Sequence, residues 1–261
     1  MNSTTEKYFS GKNIIITGAF NGIGRSLSQA LLPVCQKLYC LDNSKDSQQK
    51  FMQSFGSLKK SPSVYLLDLT DKCELDRVLK EICDTVKIDI LFANAGIKGT
   101  NSFLSYDQEL AHKVFEINFL GFCNTVIPVL NQMLKNKHGH IVGTSSLGVY
   151  RGMVKGAPYF SSKSAVAVFM ESLRLEVKSQ GIAVTTLFPG YVKTAMTEQN
   201  TVPPFFMMSP DVAAQKILYG VGRKKSTVAF PWQMRIVTFF NRLLPNFLYD
   251  YFARKMAGIS G

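Results

Sequence analysis

The sequence predicts an α/β fold: one domain built on a doubly wound parallel sheet with helices on both faces. Three observations predict it. Short β-branched apolar runs alternate with stretches of helical spacing along the 261 residues, the pattern of a parallel sheet covered on both sides. The first run stops at a glycine-rich turn that opens a helix. The composition, 46% apolar and 18% charged, supplies a sizeable core. No internal repeat and no Pro/Gly linker divides the body.

The strand-like runs come in order. "NIIIT" at 13–17 is followed by "KLYCLD" at 37–42 and "SVYLLDL" at 63–69. "IDILFANAG" at 88–96, "GHIVGTSS" at 139–146 and "IAVTTLFPG" at 182–190 complete the set. Each is short, apolar and bounded by turn residues. Helical spacing fills the gaps, with apolar residues at 23, 27, 30 and 31, then at 75, 78, 79, 82 and 86. Residues 105–135 and 159–179 read as two long helices. "SPDVAAQKIL" reads as a capped helix, with Ser209 as the cap and Pro210 at the first position.

The domain is expected over 1–229, including a substrate lid near 195–210. Phe205, Phe206, Met207 and Met208 in that lid fit an apolar substrate, a membrane-facing lid or core packing equally. Residues 230–261 form an amphipathic helical extension interrupted at Pro245. Ile236, Val237, Phe239, Phe240, Leu243 and Leu244 precede the break; Phe247, Leu248, Tyr251 and Phe252 follow it. Such a pair can lie on an anionic membrane, cover a partner subunit or close its own active site.

Charge and cysteines narrow the function classes. The formal net charge is +12, and from Arg223 onward seven Arg/Lys face one acid, Asp250. Half of the net charge therefore sits in the tail, and no recognition helix, zinc finger or RNP motif points to nucleic acid. The five cysteines are irregularly spaced and form no CxxC pair, which fits reduced thiols and a cytoplasmic protein. "HGH" at 138–140 has no Cys or carboxylate companion, so no metal is expected. The first residues are polar, and no uninterrupted apolar run reaches the roughly 18 residues of a spanning helix.

The turn "TGAFNGIGRSL" at 17–27 carries Gly18, Gly22 and Gly24. One glycine reaches positive φ, a second lets backbone approach a pyrophosphate, and a third lets helix and strand pack closely. The phosphates would then sit on the free N–H groups of the helix start. Asp42 ends the second run, 18 residues past Gly24, where an acid holds the adenosine ribose hydroxyls. Its follower is Asn43, and Asn21 stands in the turn in place of Arg or Lys. A 2′-phosphate would meet a carboxylate without a cation, which favours NAD over NADP. Capping of the strand exit is the other reading of Asp42.

Tyr159 and Lys163 stand four apart in "APYFSSKSAV". On a helix both lie on one face. A cation beside a phenol favours the phenolate and moves a poor acid toward working pH.

Together these residues resemble the short-chain dehydrogenase/reductase family over about residues 10–195, which implies a Rossmann-like fold. The motifs are "TGxxxGIG" at 17–24, "NAG" at 94–96, Asn118 in "EINFLG", Ser146 13 residues before Tyr159, "YxxxK", and Pro189–Gly190 followed by Thr194. The resemblance implies an oxidoreductase acting on an alcohol or carbonyl. Tyr159 is then the acid/base, and Lys163 lowers its pKa and holds the nicotinamide ribose. Ser146 bonds the substrate oxygen, and Asn118 holds a water that links Lys163 to solvent. It also implies a dinucleotide site of Gly18, Asn21, Gly22, Ile23, Gly24, Asp42, Asp68, Leu69, Asn94, Ala95, Gly96, Tyr159, Lys163, Pro189, Gly190, Val192 and Thr194. A homodimer or homotetramer through the helices at 105–135 and 159–179 is implied too, with Ala165, Val168 and Phe169 available for packing.

The expected activity is hydride transfer between NAD(H) and a lipophilic small molecule. A catalytically idle NAD-binding sensor or scaffold is the competing class. Arg151 and Lys155 in "GVYRGMVKGAP" are basic for a substrate-side loop, and leave open an anionic substrate or simple exposure.

Overall fold

The computed structural model describes residues 3–56, 60–197 and 207–258. Its centre is a seven-stranded parallel sheet in the order β3-β2-β1-β4-β5-β6-β7. The strands are β1 (Asn13–Thr17), β2 (Lys37–Asp42), β3 (Ser63–Leu66), β4 (Ile90–Ala93), β5 (Gly139–Thr144), β6 (Ile182–Pro189) and β7 (Thr227–Phe230). The order reverses between β1 and β4, and a crevice opens there at the carboxyl ends of the strands.

Alternation along the strands feeds two separate cores. Ile14, Ile16, Leu38, Cys40, Ile90 and Phe92 point to one face; Ile15, Tyr39, Leu41, Leu91 and Ala93 point to the other. The first core is covered by α1 (Ser3–Phe9), α2 (Gly22–Leu31), α3 (Lys45–Gln53) and α8 (Pro210–Gly222). The second is covered by α4 (Lys72–Thr85), α6 (Gly121–Asn136) and α7 (Ala157–Val177). A run such as Ile14–Ile15–Ile16, fully buried on both sides, contributes roughly 1.5–3 kcal/mol per side chain.

Several boundaries differ from the sequence expectation. The third strand stops at Leu66 and the fourth spans only Ile90–Ala93, so Asp68, Leu69 and "NAG" lie on loops beyond the sheet. The long helix expected over 105–135 is α5 (Gln108–Phe115), a π turn over Glu116–Leu120, and α6. This helical run, 108–136, is long and apolar enough by length and composition to cross a membrane. It is instead a core helix, with Val114, Phe122, Val126, Val129 and Met133 buried. Gln132 is spent inside the protein, accepting from the Ile88 N–H and donating to the carbonyls of Cys83 and Val86.

The helix after Ser209 forms as expected, with the Ser209 hydroxyl accepting from the Val212 N–H. Of the lid, residues 198–206, which include Phe205 and Phe206, lie outside the described residues. Met208 does not face outward: its backbone pairs with Tyr191 and Lys193, and its side chain packs on the first core. The chain then forms β7 and two helices, α9 (Trp232–Leu243) and α10 (Asn246–Met256). All five cysteines are free.

Candidate active site

The glycine turn is fixed by contacts that exclude side chains. Gly18 has φ +65°, and a Cβ there would stand 2.8 Å from the Ala95 Cα. Gly22 has φ +51°, and its Cβ would reach within 2.9 Å of the Thr194 Cγ2. At Gly24 a Cβ would lie 1.9 Å from the Gly18 carbonyl oxygen, so helix α2 seats directly on the turn. Asn21 is the N-cap of α2 but makes no capping bond; its amide donates to the Ser47 hydroxyl at 2.9 Å. The first N–H groups of α2 therefore keep their capacity for an anion.

From this turn a cleft of about 330 Å³ runs across the ends of the strands. Asp42, Asp68 and Leu69 line one part, Asn94, Ala95 and Gly96 the middle, and Pro189, Gly190, Val192 and Thr194 the far wall, with Tyr159 and Lys163 between. Asn21, Gly22 and Ile23 join Gly18 along the turn. Three of the sequence-derived residues, Gly24, Asn118 and Ser146, do not line the cleft. Gly24 packs beneath the turn, and Asn118 is buried behind Gly96.

Asp42 uses both carboxylate oxygens on backbone: Oδ2 accepts from the Phe20 N–H at 2.9 Å and Oδ1 from the Ser44 N–H at 3.0 Å. It thus ties the glycine turn to the β2 exit, as the capping reading has it, and it also lines the cleft. Among the described residues no cation forms a salt bridge with it. Burial raises the Asp68 carboxyl, but hydrogen bonds from Thr70 and Asn43 outweigh it and hold the pKa below the usual value. Asn94 braces the turn, donating to the Thr17 carbonyl at 3.3 Å.

Tyr159 and Lys163 lie one turn apart on α7. Lys163 is buried, and its Nζ donates to the Thr144 carbonyl at 3.0 Å. Burial pushes its pKa down to about 8. Burial also raises the Tyr159 phenol, and a hydrogen bond with Ser146 pulls it partly back. The lowering partner in this geometry is Ser146, whereas the sequence assigned that effect to Lys163; the ammonium is directed to the β5 terminus instead. Ser146 is held by the turn after β5, where its Oγ accepts from the Gly148 N–H at 3.2 Å.

Asn118 sits in the π turn. Its Oδ1 accepts from the Ile97 N–H at 2.7 Å, and its Nδ2 donates to the Ile97 carbonyl and the Ser162 hydroxyl. Both amide hydrogens are used, while the carbonyl oxygen keeps a second lone pair. A Cβ at Gly96 would be 2.9 Å from the Lys163 Nζ and 3.0 Å from the Asn118 Oδ1. A side chain at position 96 would therefore push on the ends of both the lysine and the amide.

Sequence reasoning missed other walls of the cleft, among them Thr144, Ser145, Ile97, Ile117 and Met196. It also missed the use of Arg151. The guanidinium donates to the Leu244 carbonyl and the Asn246 Oδ1, both at 3.0 Å, and lies 4.1 Å from the Tyr249 ring centre. Arg151 is spent on the α9–α10 turn, and the anionic-substrate reading of it falls.

These residues fit a nicotinamide dinucleotide: a turn stripped of side chains at a helix start, a carboxylate at the β2 exit, and a buried lysine one turn from a tyrosine. Comparison with known proteins agrees. Residues 12–203 match the family model described as short chain dehydrogenase. An uncharacterized oxidoreductase of Myxococcus xanthus is 32% identical over 246 residues, 94% of this chain and 97% of that protein. Epidermal retinol dehydrogenase 2 of Homo sapiens is 31% identical over 252 residues, covering 92% and 80%. A short chain dehydrogenase/reductase from Burkholderia phymatum, solved in complex with NAD, superposes with a TM-score of 0.81 at 18% identity, over 90% of this chain and 94% of that one. The chain belongs to the short chain dehydrogenase family, as an NAD(P)-dependent oxidoreductase on a Rossmann-like fold.

Proposed function

We propose that the chain moves hydride between NAD(H) and a lipophilic alcohol or ketone, with Tyr159 as the acid/base. The observation that carries the reading is that Tyr159 and Lys163 line the cleft that begins at the glycine turn, with Ser146 hydrogen-bonded to the Tyr159 phenol behind the lining. The glycine turn, Asp42 and Lys163 would hold the dinucleotide, which would supply the hydride for the carbonyl carbon in the reductive direction. Tyr159 gives its phenolic proton to the carbonyl oxygen, and Ser146 stabilises the charge that develops there. Lys163 and Asn118 are the positioning groups: the lysine, fixed on the Thr144 carbonyl, would hold the nicotinamide ribose, and Asn118 holds the backbone of Ile97.

The preference for NAD(H) rests on Asp42, whose carboxylate opposes a 2′-phosphate. The apolar substrate is supported by Ile97, Ile117 and Met196 in the cleft wall, and by exposed Tyr150, Met153 and Val154 on the loop after β5. One relative is named a retinol dehydrogenase, which is consistent with an apolar alcohol.

The test is a panel of ketones and alcohols of graded apolar size, followed through NADH absorbance, with wild type and Tyr159→Phe side by side. Turnover that falls about 10²–10⁴-fold in the variant is expected, with NADH binding unchanged. Equal rates in the two proteins would remove Tyr159 from the chemistry. NADH binding without turnover of any member would favour an idle dinucleotide module.

A further inference from the structure

Helix α9 is turned inside out. At about 100° per residue, Trp232, Ile236, Phe239, Phe240 and Leu243 fall on one side, and that side faces away from the protein. Trp232 is 66% exposed and Leu243 65%. The side toward the body carries Gln233, Met234, Thr238 and Asn241, all half-buried. Helix α10 repeats the arrangement: Phe247 is 72% exposed, with Tyr251 and Phe252 beside it, while Tyr249 and Ala253 turn inward. A helix that only covered its own domain would bury its apolar stripe.

The orientation is built in. Arg151 holds the turn between the helices by its bonds to Leu244 and Asn246, and the Tyr249 hydroxyl donates to the Gly152 carbonyl at 2.6 Å. At the root of α9, the Gly190 N–H donates to the Phe230 carbonyl at 2.7 Å, so the pair is anchored beside the cleft wall.

Charge decides what this face meets. Arg235, Arg242, Arg254 and Lys255 are exposed on the same two helices, against the single acid Asp250. None of the four makes a salt bridge with a described residue. A second copy packed isologously would set this cationic face against itself. An anionic bilayer satisfies both parts, taking the aromatic side chains at the headgroup boundary and the cations at its surface. We infer that the outer faces of α9 and α10 dock the protein on the surface of a membrane bearing anionic lipid.

The full chain is co-sedimented with vesicles of phosphatidylcholine alone and of phosphatidylcholine with phosphatidylserine. Expected is pelleting that needs phosphatidylserine and weakens with salt. Trp232→Ser/Phe240→Ser/Phe247→Ser should abolish it, and Arg242→Glu/Arg254→Glu/Lys255→Glu should lower affinity at least roughly 100-fold. Far-UV circular dichroism of both variants checks that the fold persists; if the aromatic variant unfolds, the charge variant decides. No pelleting of wild type overturns the inference, as does equal pelleting on neutral vesicles or wild-type binding by a folded variant. A lipid-free oligomer that the aromatic variant reduces to a smaller species assigns the face to a second copy, and overturns it too.

Discussion

The guanidinium of Arg151 lies over the ring of Tyr249, 4.1 Å from its centre, joining the loop after β5 to the last helix. Arg151→Ala removes this stacking and the donors to Leu244 and Asn246. The local cost is about 1–3 kcal/mol. Hydrogen exchange over 232–256 should accelerate while β1 stays protected. Unchanged exchange in α9 and α10 would mean the turn is held by other contacts.

Asp42 is the residue proposed to set cofactor choice. Wild type should bind NADH more tightly than NADPH, and Asp42→Ala with Asn43→Arg should shift the preference toward NADPH. Because Asp42 also accepts from Phe20 and Ser44, the double variant should lose some stability as well. Equal wild-type affinities by titration would contradict the first expectation.

Burial pushes the Lys163 pKa down to about 8, from an ordinary value of 10.5. Between these two values the unfolded chain binds more protons, so this group makes the protein more stable as pH rises from about 8 toward 10.5. Lys163→Met should remove that gain. Denaturant unfolding of the two proteins at the ends of this range measures it, and parallel pH trends would show that the lysine is not buried as described.

His140 predicts the opposite limb. Its ring lies between the Tyr8 hydroxyl and the Thr185 hydroxyl, each at 2.8 Å. Burial, with a smaller push from Lys224, lowers its pKa from 6.5 to about 3. A depressed histidine stays neutral in the fold while the unfolded chain takes up a proton. Its stabilising contribution is complete above pH 6.5 and declines as pH falls toward 3. The loss is on the order of a few kcal/mol. His140→Gln should flatten the acid limb of the stability profile; an unaltered limb would place the titration elsewhere.

Self-association through α7 is expected, since Val168 and Leu175 are 65% and 63% exposed on it. Phe169 is not available in the same way, because its ring packs edge-on against Phe119 and Phe122. Val168→Lys/Leu175→Lys should shift sedimentation from dimer or tetramer to monomer, and a wild-type monomer at micromolar concentration would end the expectation.

Strands β1 to β6 were all legible as short apolar runs, though β3, only partly buried, ends at Leu66 and is shorter than the run suggested. β7 was not, since its four residues, "TVAF", sit between a basic cluster and Pro231. α1 and α3 bury only Thr5 with Phe9, and Phe51, too few for a period to show. The residue types of the cleft were readable from motifs on the turn, the β4 exit and α7. Its carbonyl groups were not: the Thr144 oxygen that receives Lys163 has no side-chain signature. Arg151 escaped because its partners are 90 or more positions away.

The π turn at Glu116–Leu120 amounts to one residue too many for an α-helix. Deleting a residue from it would let 108–136 close into unbroken i→i+4 bonding and make a better helix. It would also rotate Asn118 away from Ile97 and Ser162, and leave the backbone behind Gly96 without its donor and acceptor. Helix strength and cleft geometry therefore pull against each other at this point, and selection for thermal stability alone would erode the site from within.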